Sequence, residues 1–499
     1  MSRAGAFPID TQRFTLFVIV AYALHLVARV LSPAALGRAD AEQFVVAQSW
    51  AWGYGPQPPL VTWVYRALFL AFGENVFVVA LFRNVCLAAT VLTVAAIGRM
   101  CGGERIGILA GLGMFTIPQF AWESQHSHTH TLLVVVLAAL AVLLILRIVE
   151  RRRTIDYLLF GLALGLAFLA KFNGPVLPLC LVAVLCVDPR ARRAVLDWRM
   201  LVALMLALAI VAPAVNWMLN HRDETLTRVW KFELDTVGPM LAGVKFIAAV
   251  VNFSLVTLAI WLAFLFATRK EPDSEPGGGS MPERRWLTIA TLSALAIACV
   301  AAMVAGTGEV KERWLQPLLF VLPVLLGAWA VHRVGDRFLR GVAAVAAVVF
   351  VVTLIGVPVR DRFGAFRDAP LQSLDYRAMR EAIAGIEPEI GTIFTDQHYL
   401  AGNLRRVSPE IAALVPEYPE AALELPRPWL ALWKGRPGRP MRDSLVALID
   451  AQGGRPTGDI RTVRQAHAWP FSGSYELNIQ RVSPPGAAAR EAGGSVAGN

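Results

Sequence analysis

Charged side chains are scarce in this chain. Only 17% of its 499 residues are Asp, Glu, Lys or Arg, where a soluble globular domain carries about 25%. That deficit, together with 56% hydrophobic residues and a mean hydropathy of +0.53, excludes an ordinary soluble fold. Cysteine is also sparse. The five cysteines (Cys86, Cys101, Cys180, Cys186 and Cys299) lie in or at the ends of apolar stretches, and none belongs to a Cys-x-x-Cys pair, so neither a disulfide framework nor a thiolate metal site is expected. No internal repeat is present. No Ala-x-Ala cleavage site follows the first apolar segment, which runs into Ser32-Pro33 and reads as a retained helix rather than a signal peptide.

What the chain does have is a succession of apolar runs of roughly 18–25 residues, the length needed to cross about 30 Å of hydrocarbon. They predict about eleven membrane spans, near Phe14–Leu31, Val76–Met100, Ile106–Trp122, Thr131–Ile148, Tyr157–Phe172, Pro175–Val187, Leu201–Leu219, Val244–Ala267, Trp286–Ala305, Leu315–Val331 and Leu339–Val357. The net charge of +10 raises the question of nucleic acid, but no basic–aromatic motif accompanies it. The arginines instead gather in alternate loops: Arg99 and Arg105; Arg147 and Arg151–Arg153; Arg190, Arg192, Arg193 and Arg199; Arg269, Lys270, Arg284 and Arg285; Arg333, Arg337 and Arg340. That is the positive-inside pattern. It places the N-terminus in the cytoplasm of a bacterial inner membrane, with the lipid bilayer rather than nucleic acid as partner. The intervening loops, Ser32–Asn75, Glu123–His130, Lys171–Pro175, Asn220–Gly243 and Ala305–Trp314, are then periplasmic. Residues 1–358 form the membrane domain. Residues 359–485 turn soluble in composition and are expected to form a small periplasmic α/β domain, with a helix at Arg377–Ile386 and strands at Gly391–Thr395, Trp429–Trp433 and Ser474–Gln480. Glu271–Glu283 reads as a cytoplasmic linker, and residues 486–499 as a disordered tail.

Candidate chemistry lies on the periplasmic side. In the first loop, Asp40 and Glu42 could take a proton from an acceptor hydroxyl or amine, although a solvated loop acid would look the same. Trp52 and Tyr54, within Trp52-Gly53-Tyr54-Gly55-Pro56-Gln57-Pro58-Pro59-Leu60, suit sugar stacking and equally suit a membrane interface. The second loop carries His126, His128 and His130. Zinc would need further ligands that are not evident, so contacts from His128 and His130 to a phosphate or a sugar hydroxyl are preferred. Lys171 interrupts two apolar halves; Lys311 and Arg313 sit in Glu309–Trp314, and Arg83 lies within the second span. Ionisable groups at membrane depth are costly and usually line a pathway. Cations there would stabilise a departing phosphate, and snorkelling to the interface is the other account. Asp396-Gln397-His398-Tyr399 is read as a loop after a strand.

The order of these features resembles the dolichyl-phosphate-mannose protein mannosyltransferase superfamily, and within it the bacterial branch that includes the lipid A aminoarabinose transferase and the rhizobial galacturonosyltransferases. Three blocks carry the resemblance: Ala41-Glu42-Gln43 with Trp52–Leu60; the Gly161–Ala167 run leading to Lys171-Phe172-Asn173; and Lys311-Glu312-Arg313-Trp314-Leu315-Gln316-Pro317. It spans approximately Phe14 to Val331 and fades beyond. It implies a GT-C-like fold and a polyprenyl-phosphate sugar donor held at Lys171, Lys311, Arg313 and Arg83. It further implies a periplasmic acceptor (glycolipid such as lipid A, polysaccharide or protein), inversion at the anomeric carbon, and no cofactor or catalytic metal; Trp52, Tyr54, Gln57, His128 and His130 are the candidate substrate contacts. One departure stands out. The family's first-loop Asp-Glu pair falls on Ala39 and Asp40, so the first acid is missing and Asp40 is expected to take its role, with Glu42 as the second candidate. A multi-span transporter and a non-catalytic family member are the competing expectations.

Overall fold

The computed structural model describes residues 10–127, 129–226, 233–234, 236–268, 282–363, 371–467 and 473–485. It is mostly helical. Seven helices are long and apolar enough to cross a membrane among the described residues: Thr11–Leu31, Val76 through Thr116, Thr129–Arg151, Trp198–Asn220, Pro239–Ala267, Pro282–Val304 and Asp336–Phe363. Shorter apolar helices occupy Leu60–Phe72, Thr154–Ala170, Val176–Val187 and Gln316–Trp329. Many of their apolar side chains, such as Leu208, Met240, Leu292 and Val348, are exposed, as befits surfaces that face hydrocarbon rather than water. All five cysteines are unpaired.

The chain divides into two compact units. The first comprises residues 1–27, 56–61 and 81–355. Its helices pack closely where small residues let backbones approach. The run from Val76 to Gly113 breaks at Gly103, whose φ of 80° lies in the left-handed region that glycine enters without steric cost. The two arms fold back on each other, and a Cβ on Gly107 would come within 2.7 Å of the Ala95 carbonyl oxygen. Gly161 and Gly165, one turn apart on the Thr154–Ala170 helix, press on Ala203 and Ala207 of Trp198–Asn220; a Cβ on Gly161 would sit 2.2 Å from the Ala203 oxygen. This is the small-residue packing that holds helices together in lipid.

The arginine-rich loops of this unit are tied to one another. Arg105 donates to Asp336 at 2.7 Å and to the Val334 carbonyl at 3.0 Å. Arg199 donates to the Arg152 carbonyl at 2.7 Å. The Trp286 indole donates to Asp188 at 2.8 Å. Arg-bearing loops of this unit are thus paired with one another.

The second unit comprises residues 28–55, 62–80 and 356–499. It takes in most of the first loop as well as the C-terminal region. Its sheet has the strand order β2-β1-β3-β5-β4, with β1 Thr392–Thr395, β2 Ala412–Leu414, β3 Trp429–Lys434, β4 Arg455–Ala466 and β5 Ser474–Ser483. β1 pairs in parallel with β2 and β3. The ribbon β3-β5-β4 is antiparallel, with Leu432 opposite Ile479. β1 is buried along its whole length, the environment of a central parallel strand covered on both faces.

Several local expectations are corrected. The first loop holds two helices, Arg38–Val46 and Leu60–Phe72. Asp396–Tyr399 is not a simple loop, since His398 opens a helix that runs to Val407. β4 and the helix Asp443–Ala451 were not foreseen. Of the expected linker, Pro282 and Glu283 begin a helix; the rest of it, the tail after 485 and His128 lie outside the described residues.

Candidate functional site

The first loop carries its acids on a short helix whose faces are almost wholly covered. Asp40 sits in the first turn of Arg38–Val46, where the free N–H groups and helix dipole favour a carboxylate. Asp40 is 2% exposed, Glu42 8% and Gln43 1%. Buried carboxylates are rare unless partnered. Glu42 accepts a hydrogen bond from the Tyr418 hydroxyl, and Gln43 accepts one from Thr62 at 3.0 Å.

The helix is clamped by His398–Val407. A Cβ on Gly402 would lie 2.0 Å from the Ala41 carbonyl oxygen, so only glycine permits this approach. Asn403 accepts from the Leu36 N–H at 2.8 Å. Arg405 donates to the Phe44 carbonyl at 2.8 Å, to Gln48 at 2.8 Å and, with both oxygens engaged at 2.7 Å, to Glu74. Burial pushes the Glu74 carboxyl up and the Arg405 guanidinium down, and their mutual attraction offsets only part of this. The pair therefore stands on geometry rather than on cheap charge.

Downstream in the same loop, Tyr54 donates to the Ser49 carbonyl at 2.7 Å and accepts from the Ala51 N–H at 3.0 Å. Burial pushes its hydroxyl up to about 12, so it remains a neutral donor. Trp63 donates to the Ala51 carbonyl at 2.8 Å and meets Trp52 edge-on, ring centroids 5.1 Å apart. Trp52 keeps 49% of its surface exposed, an aromatic face open to a ligand. Gln57, half-buried, falls in the first unit.

In the first unit a second group forms. Lys171, just past the helix Thr154–Ala170, donates to Thr131 Oγ1 at 3.1 Å and to the Arg313 carbonyl at 3.3 Å. Asn173 donates to the Trp314 carbonyl at 2.9 Å. The Gly-rich helix end and the late Lys-Glu-Arg-Trp block, 142 residues apart along the chain, are thereby brought together. Glu312 is held by the amides of Gln119 and Asn252, and Gln316 donates to the Gln119 carbonyl at 3.0 Å. Lys311 pairs with Glu309 at 3.3 Å. Arg83 is buried and donates to the Gln125 carbonyl, on the segment that leads to His130 in the first turn of Thr129–Arg151. His126 lies 3.3 Å from Glu123. Among the described residues, no three His, Cys, Asp or Glu side chains gather where they could hold a metal ion.

Beside Lys171 and Asn173 opens a cavity of about 440 Å³. Apart from these two and Thr307, its lining is apolar or aromatic, including Phe246, Ala301, Trp314 and Leu318. Among the described residues Lys171 is the one cation in this mostly apolar lining, a combination that suits an amphiphile with an anionic head.

Gln119, Asn252, Tyr418, Asn403 and Arg405 were missed by sequence reasoning. Asn252 carried a usable signal, as an amide inside an apolar span. Tyr418, Asn403 and Arg405 carried none: each meets its partner across 331 to 376 residues of chain.

A family model described as dolichyl-phosphate-mannose-protein mannosyltransferase matches residues 56–217. The lipopolysaccharide core galacturonosyltransferases RgtA and RgtB of Rhizobium johnstonii are 27% and 28% identical to this chain; the matches cover 85% and 83% of it and 87% and 85% of theirs. The lipid A galacturonosyltransferase RgtD of the same organism is 30% identical over 54% of this chain and 60% of its own. The crystal structure of ArnT from Cupriavidus metallidurans bound to undecaprenyl phosphate superposes with a TM-score of 0.62 at 15% identity, covering 94% of this chain and 98% of that one. Over residues 56–217 the chain resembles the dolichyl-phosphate-mannose protein mannosyltransferases. It is a multi-pass membrane glycosyltransferase with the GT-C fold.

Proposed function

We propose that this transferase moves a sugar from a polyprenyl-phosphate donor to an acidic glycolipid acceptor on the periplasmic face of the inner membrane, with inversion at the anomeric carbon. The observation that carries this reading is Lys171 on the wall of the apolar cavity. A lysine ammonium has three N–H donors, and Thr131 and the Arg313 carbonyl use two of Lys171's, which leaves one for a phosphate oxygen while the isoprenoid occupies the apolar lining. Two of the relatives act on the lipopolysaccharide core and one on lipid A, and the ArnT structure holds undecaprenyl phosphate; these support the choice of donor and acceptor class.

Asp40 accepts the proton of the acceptor nucleophile as that nucleophile attacks the anomeric carbon. The carrier phosphate leaves with the electron pair of the broken bond, and Lys171, Lys311, Arg313 and Arg83 stabilise its charge. Glu42, fixed by Tyr418, orients the acceptor and is the second candidate base. Trp52, Gln57, His128 and His130 contact the sugars, and Tyr54 fixes the shape of the loop through Ser49 and Ala51. The periplasmic region begins after residue 358 by this reading, with the membrane domain before it.

Thermal stabilisation of the detergent-solubilised protein by undecaprenyl phosphate tests the donor half. The wild type is expected to gain stability with the logarithm of ligand concentration above Kd, and Lys171→Met to lose most of that gain. An equal gain in both proteins would contradict the placement of the phosphate at Lys171.

A further inference from the structure

A second cavity, of about 380 Å³, lies wholly within the unit that contains the sheet. Three arginines line it: Arg377 and Arg380, one turn apart on the helix Tyr376–Ala384, and Arg406 in the last turn of His398–Val407. Among the described residues Glu381 is the one carboxylate in its lining, which leaves an excess of two positive charges there. Among the described residues no carboxylate forms an ion pair with any of the three guanidiniums. The Nε atoms of Arg380 and Arg406 are buried without a hydrogen-bond acceptor. Burial and the neighbouring Arg377 charge work against the charged form of Arg406, and Tyr399, Tyr376 and Asp375 offset only part of this. Packing like charges around a cavity and leaving their donors unused is unfavourable unless an anion is to be bound there. Guanidiniums suit this because their planar forks engage carboxylate or phosphate oxygens bidentately. The volume is that of a ligand pocket rather than of a single bound ion.

We infer that this cavity is an oxyanion site that holds an acidic group on the carbohydrate of the acceptor, a sugar carboxylate or a phosphomonoester, away from the reacting hydroxyl. The inference rests on the transferase reading, and it adds a specificity site to it. The cavity selects acidic glycolipids over neutral ones of the same size. None of the three arginines takes part in the chemical step.

Binding, not turnover, is the readout, so an inactive enzyme would not mask the answer. The full-length protein in nanodiscs is titrated with a lipid A carrying acidic 3-deoxyoctulosonate sugars, with the same lipid after dephosphorylation, and with inorganic phosphate. The variants are Arg380→Gln/Arg406→Gln and Glu381→Gln. The wild type is expected to bind the intact lipid, the double variant to bind it roughly ten- to a hundredfold more weakly as two charge-assisted contacts go, and Glu381→Gln to bind it more tightly. Arginine-dependent binding that falls on dephosphorylation identifies the phosphomonoester; arginine-dependent binding that survives it identifies the sugar carboxylate. Lipid binding that ignores both variants overturns the inference. So does inorganic phosphate that binds through the arginines while lipid binding does not depend on them. Glu381 lies on an exposed helical position, so its variant gives an answer even if the double variant fails to fold. Transfer activity is recorded alongside: loss of transfer from every donor with the binding pattern intact counts against the transferase reading and not against this site.

Discussion

Lys171 and Asp396 are two part-buried ionisable groups. Lys171 donates to Thr131 and to a main-chain carbonyl. Its replacement by Met is expected to raise KM for the polyprenyl-phosphate donor by roughly ten- to a hundredfold, the cost of one charge-assisted hydrogen bond of about 1.5–3 kcal/mol, with kcat falling as well if the phosphate contact strengthens during transfer. Steady-state kinetics over a range of donor concentrations measures both. Asp396, between β1 and the helix that follows it, is pushed above its ordinary value of 3.8 by burial, and Arg442 at 3.3 Å offsets only part of this. A carboxyl whose native pKa is raised binds its proton more tightly when folded. Its contribution to stability is therefore present below the ordinary carboxylate value and is lost as pH rises through the native one. Melting temperatures taken from pH 3.5 upward should show this decline in the wild type and a smaller one in Asp396→Asn.

The first-loop helix and its clamp show where local sequence runs out at the level of elements. β1 was legible because Thr392-Ile393-Phe394-Thr395 is a β-branched and aromatic run, and the long spans were legible because hydrocarbon imposes length and composition. Lys171-Phe172-Asn173 and the Lys311–Pro317 block were legible as polar breaks in apolar runs, and they do meet. Arg38–Val46, by contrast, is polar and short. Its helix is stabilised by burial against His398–Val407, and no neighbouring residue announces that. β4 is mostly exposed along its length and lacks the apolar alternation that marks a strand. The clamp itself invites a test. A Cβ at position 402 would collide with the Ala41 carbonyl, so Gly402→Ala should cost about 1–3 kcal/mol and displace Asp40 and Glu42. Glu74→Gln leaves Arg405 buried without its counter-charge, at a cost of about 3–5 kcal/mol. Thermal melting of both variants, with the exposed Glu389→Gln as a surface control, checks the order Glu74→Gln, then Gly402→Ala, then control.

Across the whole molecule, the pairing of arginine-rich loops with one another in the helical unit accords with one-sided charge, and the proposed orientation follows from it. In a background lacking the native cysteines, a cysteine at Arg192 should escape a membrane-impermeant thiol reagent added to spheroplasts, whereas one at Glu417 should react. The reverse pattern would invert the topology and with it the site of transfer. The account as a whole stands on Asp40 acting as the base in transfer. Membranes containing wild type or Asp40→Asn, expressed to equal levels, are supplied with radiolabelled galacturonosyl polyprenyl phosphate and an acidic glycolipid acceptor. Transfer by the wild type that falls at least a hundredfold in Asp40→Asn is the predicted result; transfer that persists in the variant contradicts it.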